Sequence, residues 1–102
     1  MMVALGFMTS SVGAAWAVTA DDVMNKMNSD ERSSYVAGVV EGLAQTRWIA
    51  DKPDPTGMRC IHDWHYKGGE ENWLKIYEFF ARHADKPAAA LLYVMIKKDC
   101  GG

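Results

Sequence analysis

Two cysteines, three histidines and a central run of aromatic and acidic residues are the side chains through which this 102-residue sequence could do chemistry. Cys60, His62, His65 and Cys100 offer two sulfurs and two imidazoles, the donor set of many structural zinc sites. The spacing argues otherwise, because such sites bring their ligands in close pairs and Cys100 stands alone near the C-terminus. Cys60 could instead serve as a nucleophile, with His62, His65 or His83 as its base. No glycine-rich nucleophile or oxyanion motif accompanies it, and the phosphate-loop, dinucleotide, metalloprotease and calcium-loop patterns are missing. The expectation is a protein that is not an enzyme and uses no metal or cofactor. In an exported chain a lone cysteine pair is most simply a disulfide, here closing a loop of about 40 residues.

What remains is chemistry suited to binding. Asp51-Lys52-Pro53-Asp54-Pro55-Thr56-Gly57 breaks a helix, since two prolines remove donors and fix φ, and the segment reads as an exposed loop. Trp48 precedes it; Met58, Arg59, Trp64 and Tyr66 follow. Aromatic and arginine anchors beside a stiffened loop lose little entropy on association, so Trp48, Asp51, Asp54, Arg59, Trp64 and Tyr66 are the candidate partner contacts. The alternative for Trp48 and Trp64 is that they fill a small core.

Helices must position these groups, because helical periodicity runs almost throughout from Asp21 and no stretch alternates as a strand would. The spacing predicts a short helix over 21–27 and a second over 29–49, opened by an Asn28/Glu31 capping box and burying Tyr35, Val36, Val39, Val40 and Leu43. Gly38 and Gly42 stack on one side of that helix, an arrangement that fits close packing of another backbone within the fold or across a dimer. The local structure of 61–66 stays open. A third helix over 70–83 carries Trp73, Ile76, Tyr77 and Phe80 on one face. A last helix, capped by Asp85 with Pro87 in its first turn, buries Ala88, Leu91, Leu92, Met95 and Ile96 and stops at Gly101. The fold class is all-α, a small bundle of about four helices with one disulfide.

With 11 basic and 13 acidic residues, a net charge of −2 and no basic stripe, nucleic acid is not the expected partner. No Asp, Glu, Lys or Arg precedes Asp21, and residues 1–20 mix apolar residues with small ones, as a secretory signal peptide does, although no basic n-region opens them. Thr9, Ser10, Ser11, Gly6 and Gly13 count against a membrane anchor or a buried first helix. Small residues permit cleavage after Ala17 or after Ala20. The second is taken here, giving a signal peptide over 1–20, a single domain over 21–102 and a periplasmic location without a stable membrane anchor.

Tyr35-Val36-Ala37-Gly38 with Gly42, then Cys60, Trp73, Phe79-Phe80-Ala81-Arg82-His83, Pro87-Ala88-Ala89 and Asp99-Cys100-Gly101 form an ordered set over about 35–101. This set resembles the Tai/Rap family, the immunity proteins of type VI secretion systems. Two positions differ from the family's usual pattern, His62 and Ala84, where members often carry proline. The resemblance implies a small periplasmic helical protein, commonly a homodimer, that blocks a peptidoglycan-cleaving amidase effector. It also implies Cys60–Cys100 as the family disulfide, Gly38 and Gly42 as close-packed helix positions, and occlusion of the effector's cleft, with the 51–57 loop as candidate plug. A small periplasmic acid-stress-type helical chaperone is the alternative reading.

Overall fold

In a computed structural model the chain is described over residues 18–102, and these form five helices and no strand. The expected signal segment lies outside the described residues except for 18–20, which belong to the helical domain. Thr19 and Asp22 exchange hydrogen bonds, the Thr19 N–H donating to Asp22 Oδ2 (3.0 Å) and the Asp22 N–H to Thr19 Oγ1 (3.1 Å). This reciprocal pair satisfies the Asp22 N–H, the first donor of α1 (Asp22–Lys26), a wide π-type turn that buries Val23. Arg32 fastens the far end of α1, its guanidinium donating to the carbonyls of Val23, Met24 and Met27.

Helix α2 (Ser29–Asp51) starts at the expected capping box: Glu31 N–H donates to Asn28 Oδ1 and Asn28 N–H to Glu31 Oε1, both at 2.9 Å. Val36, Val40 and Ala44 are buried, with Tyr35, Val39 and Leu43 packed beside them. The helix runs two residues past its expected end because Arg47 and Asp51 pair one turn apart, Nε to Oδ2 at 2.6 Å. The break is therefore only Lys52–Pro55.

Thr56 opens α3 (Thr56–Tyr66), its N–H and hydroxyl both donating to Asp54 Oδ1 (3.0 and 2.7 Å). Gly57, read as part of the loop, lies instead in the first turn of α3, buried beneath Arg47. The undecided segment 61–66 is the rest of this helix. Ile61 and Trp64 face the core. The short connection returns α3 antiparallel along α2, so the two form a hairpin.

Gly69, at φ +61°, turns the chain into α4 (Gly69–Arg82), a backbone conformation glycine adopts without a Cβ penalty. Ile76 and Phe80 are buried, with Trp73 and Tyr77 at the margin. Helix α5 (Ala88–Cys100) buries Ala88, Leu91, Leu92 and Ile96 and ends at Gly101, φ +72°. Asp85 does not cap it. The Ala88 N–H donates to the Val18 carbonyl at 2.8 Å, so the entering chain supplies the acceptor expected of an aspartate.

All four long helices and α1 contribute to one core, in which Phe80, Ile76, Leu92, Val23, Val36 and Val40 are essentially inaccessible. The Cys60–Cys100 disulfide, with a Cα–Cα distance of 5.7 Å, links α3 to the last residue of α5. Arg47 supports the same corner, donating to the carbonyls of Gly101 (3.1 Å) and Cys100 (3.4 Å).

Two consequences can be measured. A sequence separation of 40 between the bridged cysteines implies a stabilisation of about 4 kcal/mol on chain-entropy grounds, so reduction should lower unfolding free energy by about that amount in denaturant titrations. At Gly57 an added Cβ would fall on the Arg47 guanidinium, the movable end of a flexible side chain, so Gly57→Ala should cost no more than about 1 kcal/mol, the worth of the Arg47–Asp51 pair it displaces, in denaturant titrations.

Candidate partner-binding face

Residues at intervals of three and four along a helix share one side, which fixes what the α2–α3 hairpin presents outward. On α3 these are Arg59, His62 and Tyr66; on α2 they are Glu41, Gln45 and Trp48. Two contacts set the register between the helices. Tyr66 donates its phenol hydrogen to Glu41 Oε2 at 2.6 Å, and His62 Nε2 lies 3.3 Å from Glu41 Oε1. One carboxylate thus holds two side chains of the facing helix in place. Tyr66 is nonetheless 56% exposed, so its ring is fixed at the hydroxyl while leaving apolar surface for a partner.

The aromatic surface continues onto α4. His65 packs edge-on against Tyr66, ring centroids 4.7 Å apart, and against Trp73 at 5.9 Å. Trp73 leads to Tyr77 at 5.7 Å, and the Arg32 guanidinium lies 6.0 Å from the Tyr77 ring. Such ring pairs add directional energy to their burial and limit side-chain motion.

The electrostatics follow from these contacts. The Tyr66 hydrogen bond, aided by His62, holds the Glu41 carboxyl below its ordinary range, and the same bond pushes the Tyr66 phenol up. Burial lowers the pKa of His65, only partly offset by the Glu41 charge.

The six expected partner contacts separate. Trp48, Arg59 and Tyr66 share the outer face of the hairpin, with Trp48 half-buried and Arg59 exposed. Asp54 is exposed at the loop, but its Oδ1 is already engaged by Thr56. Asp51 is half-buried and paired with Arg47, so it serves the fold. Trp64 is a core residue, because it occupies the opposite side of α3 from Tyr66; its indole N–H donates to Asp99 Oδ2 at 2.9 Å. Its ring is not an outward anchor.

Gly38 and Gly42 differ from expectation as well. No atom of another element lies within 4 Å of where a Cβ would stand at either, so the close approach expected within the fold is not made among the described residues. Both glycines are exposed, on the same side of α2 as Gln45 and Ile49, the last 58% accessible. Cys60 and Cys100, joined to each other, offer neither a free thiolate for metal nor a nucleophile. Among the described residues no grouping of three or more His, Cys, Asp and Glu is arranged to hold a metal ion.

Sequence reasoning missed Glu41, His62 as its neighbour, and Arg47. Glu41 gains Tyr66 only through the return of α3 along α2. The signal for Arg47 was its i,i+4 spacing to Asp51. No family model, curated protein or solved structure matches this chain.

The His65 shift has a defined consequence for stability. The unfolded chain protonates His65 near its ordinary value of about 6.5, while the folded chain resists protonation to lower pH. Stability is therefore complete above that value and declines as pH falls from it through the folded pKa. Urea midpoints measured from pH 7.5 to 5 should fall, and His65→Gln should flatten part of that slope.

Proposed function

We propose that this protein is a periplasmic immunity protein, which binds a peptidoglycan-cleaving amidase effector and occludes its active-site cleft. The observation that carries the reading is the outer hairpin face, where Tyr66, locked by Glu41, stands with Trp48 and Arg59. An exposed aromatic ring already held in place, with a second aromatic and an arginine beside it, is the kind of group that dominates protein–protein affinity. The ordered set of residues resembling the Tai/Rap family supplies the class of partner.

The disulfide is compatible with an oxidising compartment, and no helix among the described residues is long and apolar enough to cross a membrane. Within this reading the Lys52–Pro55 turn enters the cleft beside the hairpin face. Its exposed Lys52, Pro53 and Asp54 are the residues available for that contact, because Asp51 and Gly57 on either side are engaged with Arg47. Homodimerisation, part of the same reading, would use the open side of α2 at Gly38, Gly42 and Ile49.

Inhibition of an amidase encoded in a neighbouring reading frame tests the proposal. Tyr66→Ala and Trp48→Ala should each weaken inhibition by about tenfold or more, equivalent to roughly 1.4 kcal/mol, while Asp85→Ala, a turn residue away from the hairpin, should leave it unchanged. Failure of the wild-type protein to bind or inhibit that amidase would remove the reading.

A further inference from the structure

We propose that a leader peptidase cuts this chain between Ala17 and Val18, so that the working domain begins at Val18 rather than Asp21. The inference rests on the export included in the proposed function. The sequence offers two sites with small or modest residues at the positions such an enzyme reads: Ala15 and Ala17 before one bond, Val18 and Ala20 before the other. Nothing in local composition separates them. Tertiary structure does, because the three residues between the sites are built into the fold.

Ala20 is fully buried and Val18 packs against the same core. The Val18 carbonyl accepts the Ala88 N–H at 2.8 Å, the first donor of α5, and the Ala20 N–H donates to the Lys86 carbonyl at 2.9 Å. Between them Thr19 forms an isolated antiparallel bridge with Pro87. Thr19 also closes the start of α1 through both hydrogen bonds with Asp22, and its carbonyl accepts the Val23 N–H at 3.2 Å. Cleavage after Ala20 would discard all of these partners at once. It would leave the Ala88 N–H without its acceptor and α1 without its cap. Cleavage after Ala17 keeps every one.

Ala20 and Asp21 are already helical, and the Asp21 N–H donates to the Ala84 carbonyl at 2.9 Å, so the bond joining them is withdrawn once the domain closes. Val18 precedes the helical turn and is only partly buried. In the cut, water divides the amide bond: Ala17 departs with a new carboxylate and Val18 gains the amine, protonated in water.

The full chain, expressed in a Gram-negative host, tests this by N-terminal sequencing and intact mass of the periplasmic product, together with Ala17→Phe. The expected product starts at Val18, and Ala17→Phe, which puts a bulky side chain immediately before the bond, should yield no product that starts at Val18. A product starting at Asp21, with Ala17→Phe still processed, would overturn the site while leaving export standing. An uncleaved wild-type chain would overturn the site, and its confinement to the cytoplasm would remove the export reading with it.

Discussion

The fold depends on holding α5 at both of its ends. At its start the Ala88 N–H is bound by the Val18 carbonyl; at its finish Cys100 is bonded covalently to Cys60 and its carbonyl is reached by Arg47. Between these points α5 contributes Leu91, Leu92 and Ile96 to a core made largely of small and medium aliphatic residues. A domain of this size buries too little apolar surface for its helices to be held by packing alone with much to spare. A constraint that shortens the unfolded chain's reach at the α3–α5 corner is therefore of the same order as the whole net stability.

Arg47 connects that corner to the hairpin. Its guanidinium ends α2 through Asp51, covers Gly57 at the start of α3 and meets the last carbonyls of the chain. Gly57 lies directly beneath the Arg47 guanidinium, and the tight turn before it follows from Asp54 accepting two bonds from Thr56. The carboxylates flanking the turn thus do different work: Asp51 holds Arg47 at the end of α2, whereas Asp54 shapes the turn and remains at the surface.

One consequence is a clean division of α3. Gly57, Ile61 and Trp64 look inward, while Arg59, His62 and Tyr66 look outward over the facing residues of α2. Because the inward side is anchored by the disulfide, Arg47 and the Trp64–Asp99 hydrogen bond, the outward side is presented on a firm base. Glu41 then orders the two most prominent outward rings. Rigidity built this way lowers the entropy a binding surface must give up on association.

The helical class, the Asn28/Glu31 box, the buried stripes of α2, α4 and α5, and the stop at Gly101 are legible in the residues alone, because each depends on residues within one or two turns of each other. So is the cysteine bridge, there being only two cysteines to join. Which aromatic residues face outward depends on the packed fold: Trp64 and Tyr66 are two positions apart and local composition treats them alike, yet the packing of α3 sends one into the core. The same holds for Asp85, displaced as a cap by Val18 from the opposite end of the chain, and for Glu41, whose partners lie 21 and 25 residues away. Contacts at such separations exist only after the chain has closed, so no local spacing encodes them.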